Sequence, residues 1–310
     1  MMIYPDRLEC GDKVAIISPA SVVRAEFIDS AAEYMGECGF EPVVMPHAKG
    51  PACGSYAASR DDRLSDLLTA WSMPDVKAVV CSRGGYGAVH LLPYIPGSIM
   101  RDNPKWLVGF SDISALHALS ISQGVVSIHG PMARDLHDGH HGGMAVIDIL
   151  KSGRMQPCRF DNPGSELLPR NNPGAASGRL VGGNLAVLDG LAATPFDLLS
   201  RPMDEDCILF LEDIAEPIYK IERILCRMYM QGVFERVKGL AVGRFTETSS
   251  DRNDVSTERM IGRFLTDRGL THLPVAYNLP VGHFPGNMPL IEGAIVDMVV
   301  TDSEAVISQL

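Results

Sequence analysis

Residues 105–119, KWLVGFSDISALHAL, constrain the fold more than any other stretch of this chain. Trp106-Leu107-Val108 is a short apolar run of the kind that makes a buried parallel strand. Gly109-Phe110-Ser111-Asp112 interrupts it, and Ile113, Leu116, Ser120 and Ile121 then recur at helical spacing with His117 beside them. A strand that turns sharply into a helix with Ser111 at the corner has the layout of a nucleophile elbow. Such a turn lifts a hydroxyl above the sheet edge and aims the next amides where negative charge is favoured. Ser and Asp are also ordinary helix N-caps, and on this stretch alone that plainer reading stands ahead. The pattern departs from the commoner G-x-S-x-G, because Ile113 occupies the place of the second glycine.

The surrounding chain alternates. Strands are expected over 13–18, 41–45, 76–81 and 125–129, with helical periodicity over 26–38, 60–71 and from 88 to 92. Short apolar runs separated by helices imply a mainly parallel sheet with helices on both faces, whose ligands bind at the carboxyl ends of strands. Three of those ends carry unusual loops: Ser18-Pro19, the stretch 83–87 and the stretch 109–112. Residues 134–178 change character to Gly, Pro and Asn, with a helix expected over 145–151. Beyond them lie a helical stretch from Gly182 to Leu191, strands over 207–211, 239–242, 275–279 and 295–300, and helices over 218–231 and 258–268. The expected organisation is therefore α/β, with an N-terminal domain over 1–150, a linker over 151–178 and a smaller C-terminal α/β domain over 179–310.

The 310 residues suffice for two domains, and 46% apolar with 21% charged residues is ordinary for a chain with a full core. No apolar run approaches the roughly 18 residues that span a bilayer, and the first residues have neither signal- nor transit-peptide character. Seven cysteines, none in a C-x-x-C pair, fit free thiols in a reducing cytoplasm. A net charge of −11 without a basic stripe argues against nucleic acid as a partner. His137, His140 and His141 lack the company of a metal motif, so a solvated loop is expected there and no metal.

Several groups could carry chemistry. Arg83-Gly84-Gly85-Tyr86-Gly87 fits neither phosphate fingerprint, yet its glycines let backbone N–H groups approach a ligand, as an oxyanion pocket needs. A tight turn kept for geometry alone explains it equally well. Glu212 and Asp213 end a strongly apolar run, where a carboxylate can orient a histidine, although Asp213 and Glu216 also suit a helix start. His283 follows a Pro-Val-Gly turn, and a single loop histidine is more often inert. The order Ser111, Glu212, His283 is that of hydrolase-type triads.

Taken together, the motifs resemble those of the L,D-carboxypeptidases (murein tetrapeptide carboxypeptidases) and their relatives that confer microcin C immunity. The matching segments are SRGGYGAVHLLP from Ser82, GFSDIS from Gly109, His129-Gly130-Pro131-Met132, Gly182-Gly183-Asn184-Leu185, LFLEDIAEPIY from Leu209, and Gly282-His283 with Gly286-Asn287. They occur in the family's order across nearly the whole chain. The resemblance implies Ser111 as nucleophile, His283 as general base and acid, Glu212 as its orienting carboxylate, and the N–H groups of Gly85 and Asp112 as oxyanion hole. It implies acyl transfer through an acyl-serine at a domain interface, without metal or cofactor, in a cytoplasmic homodimer. The implied substrate is a muropeptide ending in D-alanine, cleaved at its L,D bond in cell-wall recycling. Arg83 and Arg244 are candidates for holding the terminal carboxylate. Two alternatives stay open: a microcin-type hydrolase of peptidyl- or aminoacyl-nucleotide analogues, which would want an aromatic shelf for the base, and a two-domain small-molecule binding protein without turnover.

Overall fold

The computed structural model describes residues 2–136, 141–199 and 206–310, so His137 and His140 lie outside the described residues. In chain order the elements are β1 (Lys13–Ile17), α1 (Ala25–Glu37), β2 (Glu41–Val44), α2 (Arg60–Ser72), β3 (Val76–Cys81), α3 (Ile99–Asp102), β4 (Trp106–Gly109), α4 (Ser114–Ser122), β5 (Ser127–His129), α5 (Ala133–Leu136) and α6 (His141–Ser152). There follow β6 (Cys158–Asp161), β7 (Gly174–Asn184), α7 (Leu185–Asp189), β8 (Cys207–Ile214), α8 (Ile218–Met230), β9 (Val237–Thr246), α9 (Thr257–Asp267), β10 (Val275–Tyr277), β11 (Leu290–Glu292), β12 (Ile295–Val300) and β13 (Glu304–Gln309). Contacts divide the chain into two units, Met1–Met155 with Met288–Gly293, and Gln156–Asn287 with Ala294–Leu310.

The first unit is built on a six-stranded sheet in the order β11-β5-β4-β3-β1-β2. All pairings are parallel except β11 against β5. Continuous burial along β1, β3 and β4 explains why they read as apolar runs rather than alternating ones. Strand β1 lies between β2 and β3, so the order reverses there, and a crevice opens at the carboxyl ends of such strands. The loops after β1 and β3 are consequently neighbours: the Ser18 and Ser82 hydroxyls lie 2.6 Å apart, and Ser21 N–H donates to the Gly84 carbonyl at 3.3 Å. Helix α2 starts at Ser59, whose Oγ accepts from Asp62 N–H. The expected helix from 88 to 92 is instead two 3₁₀ turns, Ala88–His90 and Leu92–Tyr94, because Pro93 and Pro96 leave no room for an α-helical ladder.

The second unit carries a seven-stranded sheet in the order β10-β9-β8-β7-β12-β13-β6. Its first four strands are parallel and the rest antiparallel. Two strands fall where the composition pointed to a linker over 151–178. Strand β6 is held by β13, and β7 by β8 and β12. The expected helix from Gly182 likewise begins only at Leu185. Gly182 still belongs to β7, where a Cβ would lie 1.8 Å from the Phe210 carbonyl oxygen.

One buried polar cluster sits behind β4. His117 of α4 is fully buried, with Nε2 2.8 Å from the Gly109 carbonyl and Nδ1 2.8 Å from Ser127 Oγ. A carbonyl only accepts, so Nε2 bears the proton and the Ser127 hydroxyl donates to Nδ1. Burial lowers the pKa of His117 to about 4, which keeps the ring neutral. Beside it, His129 Nδ1 lies 3.3 Å from Glu292 Oε1, and both side chains are inaccessible to solvent. Burial pushes Glu292 well above the ordinary carboxylate range. The folded chain thus retains a proton that the unfolded chain gives up above about 4.5, its ordinary value. The stability this contributes is full below that pH and is lost as the pH rises towards the folded pKa. Glu292→Gln should therefore flatten the fall of Tm between pH 5 and pH 8. Melting curves that keep the wild-type slope would refute the assignment.

Candidate active site

Strand β4 delivers Ser111 to the switch-point end of the first sheet. Phe110 is extended, Ser111 turns to φ 64°, and Ser111–Ile113 forms a 3₁₀ turn that runs into α4. A serine in the left-handed region is uncommon and strained, and such strain persists only where the surroundings impose it. Neither the 3₁₀ turn nor α4 carries a side-chain N-cap bond, so the plain capping reading of Ser111-Asp112 does not hold. The Asp112 carboxylate reaches elsewhere: its Oδ2 accepts from Ala88 N–H at 2.8 Å. Burial raises the Asp112 pKa, against the opposing pull of that hydrogen bond.

The glycine loop after β3 closes over the serine. A Cβ at Gly84 would lie 2.8 Å from the Ser111 Cβ and 3.1 Å from both Ser111 Oγ and Asp112 N. Only glycine permits that approach. Ser111 is half-buried and Gly85 is exposed. The first unit thus brings together Ser111, Asp112, Gly84 and Gly85.

The second unit brings together Glu212 and His283. Glu212 lies on β8 with no solvent exposure, and its Oε2 is 2.8 Å from His283 Nδ1. The β8–β9 register shifts between Leu211 and Asp213, the kind of irregularity that re-aims a side chain. His283 sits on the loop between β10 and β11. Gly282 precedes it at φ 129°, where a Cβ would lie 3.2 Å from Glu212 Oε2, and Gly282 N–H donates to Asn287 Oδ1 at 3.0 Å. A carboxylate on Nδ1 holds the imidazole in the tautomer that leaves Nε2 able to accept a proton.

Asp213, adjacent in sequence, does other work. It accepts from Ala186 N–H at 2.9 Å, from Ile214 N–H at 2.8 Å and from the Asn184 side-chain amide at 3.1 Å. It therefore serves the start of α7 rather than that of α8. Burial and then the Glu212 charge raise its pKa to about 7. Of the two arginines considered for a terminal carboxylate, Arg83 donates to the Val22 carbonyl at 3.1 Å, while Arg244 lies 5.1 Å from the centre of the Phe284 ring. His141 begins α6. Gly282 and Asn287 stood within the motif segments, but their local roles follow from contacts that no spacing announces. Ser21 and Arg63, which hold the glycine loop, carried no signal at all.

Family models match the chain as an LD-carboxypeptidase N-terminal domain over residues 14–130 and an LD-carboxypeptidase C-terminal domain over residues 177–298. The chain belongs to the LD-carboxypeptidase family. It is a hydrolase of the carboxypeptidase class; the first domain model falls within the first unit, and the second covers most of the second unit together with residues 288–293 of the first. A probable murein peptide carboxypeptidase of Bacillus subtilis is 32% identical, over 98% of this chain and 93% of the relative. The solved muramoyltetrapeptide carboxypeptidase of Oxalobacter formigenes superposes with a TM-score of 0.81 at 26% identity, covering 96% of this LD-carboxypeptidase and 99% of that chain. The microcin C7 self-immunity protein MccF, solved with aspartyl sulfamoyl adenosine, gives 0.84 at 19% identity over 99% of each chain, a likeness of fold alone. Among the described residues, no helix is long and apolar enough to cross a membrane.

Proposed function

We propose that this LD-carboxypeptidase is a serine peptidase that removes the terminal D-alanine from murein tetrapeptides, with Ser111, His283 and Glu212 as its triad. The observation that carries the reading is the 2.8 Å hydrogen bond from the His283 ring to a fully buried Glu212 carboxylate. A loop histidine so oriented is a base in search of a nucleophile, and the strained turn at Ser111 supplies one. In the first step His283 Nε2 takes the Ser111 proton as Oγ attacks the carbonyl of the L-centre preceding D-alanine. The Gly85 and Asp112 N–H groups hold the oxyanion. His283 then gives its proton to the departing D-alanine amine as the C–N bond breaks, leaving an acyl-serine. Water, deprotonated by the same histidine, attacks the ester and restores Ser111.

The curated relatives favour the muropeptide, since a probable murein peptide carboxypeptidase and a murein tetrapeptide carboxypeptidase are 32% and 30% identical to this chain. Trp71 and Trp106 are both fully buried, so neither offers a face on which a base could stack. The reading places the enzyme in the cytoplasm as a homodimer, consuming peptides returned from the wall. Incubation with L-Ala-γ-D-Glu-meso-DAP-D-Ala, followed by mass spectrometry, should yield free D-alanine and the tripeptide. Absence of both would overturn the substrate. Cleavage of an aminoacyl-sulfamoyl adenosine would then support the nucleotide branch, and intact recovery of both bound ligands would support a binding protein.

A further inference from the structure

The loop that carries Gly85 is tied down on both sides by groups other than the proposed oxyanion donors. We propose that Ser21 and the Asp112 carboxylate, with Arg63 behind them, are positioning residues that orient the Gly84–Gly85 peptide so that its N–H faces the oxyanion. The inference rests on the serine-peptidase reading of the same site and concerns how one half of its oxyanion hole is kept in place.

The Gly84 carbonyl and the Gly85 N–H belong to one planar, trans unit, so they point in opposite directions. Ser21 N–H donates to the Gly84 carbonyl at 3.3 Å, which turns the Gly85 N–H away from Ser21. The next amide is held by the same residue, since Tyr86 N–H donates to Ser21 Oγ at 3.1 Å. Gly85 therefore lies between two anchored peptides, at φ 107°, with no room for a Cβ: one placed there would be 2.4 Å from Ser21 Oγ. A glycine loop without such ties would exchange freely between peptide orientations.

Arg63 and the Asp112 carboxylate close the loop on its far side. Arg63, buried on α2, donates through Nη1 to the Gly87 carbonyl at 3.0 Å and to the Pro19 carbonyl at 2.5 Å, so one guanidinium joins the loops after β1 and β3. Its guanidinium lies 4.9 Å from the centre of the Tyr56 ring. The Asp112 carboxylate accepts from Ala88 N–H at 2.8 Å. Asp112 thus acts twice: its backbone N–H is one proposed donor to the oxyanion, and its side chain ties down the loop that bears the other. Any shift of the 3₁₀ turn Ser111–Ile113 would move both proposed donors together, which keeps their spacing constant.

The test uses variants that leave every proposed donor N–H in place. Asp112→Ala should lower kcat for D-alanine release by about 10²-fold with KM little changed, the scale of a small misplacement of a reacting group. Ser21→Ala, which removes the hydroxyl that accepts from Tyr86 N–H but keeps the backbone N–H on the Gly84 carbonyl, should lower it by about 10-fold. Asp112→Asn, which keeps an acceptor oxygen, should recover much of the loss. The double alanine variant should lose less than the product of the single losses, because both ties hold one loop. The same series is read independently of substrate by the rate at which diisopropyl fluorophosphate labels Ser111, a reaction that also charges the oxyanion hole. Proportional slowing of labelling supports the clamp. Labelling and kcat within threefold of wild type in both single variants would overturn it. A wild type that neither labels nor releases D-alanine would overturn the serine-peptidase reading, and the clamp with it. Ser21 lies at the surface end of the β1 loop, so Ser21→Ala keeps the test alive if Asp112→Ala does not fold.

Discussion

Ser111→Ala is expected to lower D-alanine release by on the order of 10⁶-fold, the largest effect of any single change in this chain. In the proposed mechanism the hydroxyl is the only part of the side chain the reaction uses, and without it no acyl-enzyme would form. Binding of the tetrapeptide should survive, because the proposed donors at residues 85 and 112 belong to the backbone. Alanine also fits the space, since the Ser111 Cβ already accepts the close approach of Gly84. A residual rate above the uncatalysed one, from the oxyanion hole and substrate binding alone, is expected to remain. Calorimetric titration of the variant with tetrapeptide, beside turnover by mass spectrometry, separates the two. Turnover within tenfold of wild type would sink the acyl-serine mechanism.

Glu212→Gln should cost about 10⁴-fold in kcat while leaving the fold intact. The amide has the volume of the carboxylate and can still hydrogen-bond the His283 ring, so the site remains filled. What changes is the direction of the bond. A side-chain amide can donate to Nδ1, which places the ring proton on Nε2 and leaves no lone pair to take the Ser111 proton. The charge that would stabilise the imidazolium is also gone. Glu212→Ala would test less cleanly, because it opens a cavity at a position with no solvent exposure. Steady-state rates with unchanged melting for Glu212→Gln identify the chemical role. A loss of less than tenfold would show that Glu212 only fills space.

The Ser111 turn and the Glu212–His283 pair differed in how far residues alone could reveal them. The elbow was legible because its signals are local: an apolar run, a glycine-containing break and a helical pattern lie within fifteen residues. The left-handed Ser111 and the failure of Asp112 to cap its own helix were not, since both arise from the glycine loop pressed against them. Glu212 and His283 could be paired only through the family resemblance, because nothing in their separate surroundings announces a contact across 71 positions.

Strands β6 and β7 were hidden for a related reason. Gly174–Asn184 reads GAASGRLVGGN, a composition poor in strand-forming residues, and its first half alternates in exposure rather than lying buried. It is a strand because β8 and β12 flank it, and Gly182 is there because the Phe210 carbonyl comes too close for any side chain. Strand β11 has only three residues, and its pairing with β5 bridges a long sequence separation.

By itself, then, the sequence determined what short-range patterns can carry: parallel strands with buried faces, their alternating helices, the turn that presents Ser111, and the order of motifs that marks the family. The tertiary structure alone decided which side chains meet. Hydrogen bonds such as Glu212 to His283, Asp112 to Ala88 and Ser21 to Gly84 join segments far apart in the chain. Their geometry follows from sheet order and strand register, quantities that no local run of residues encodes.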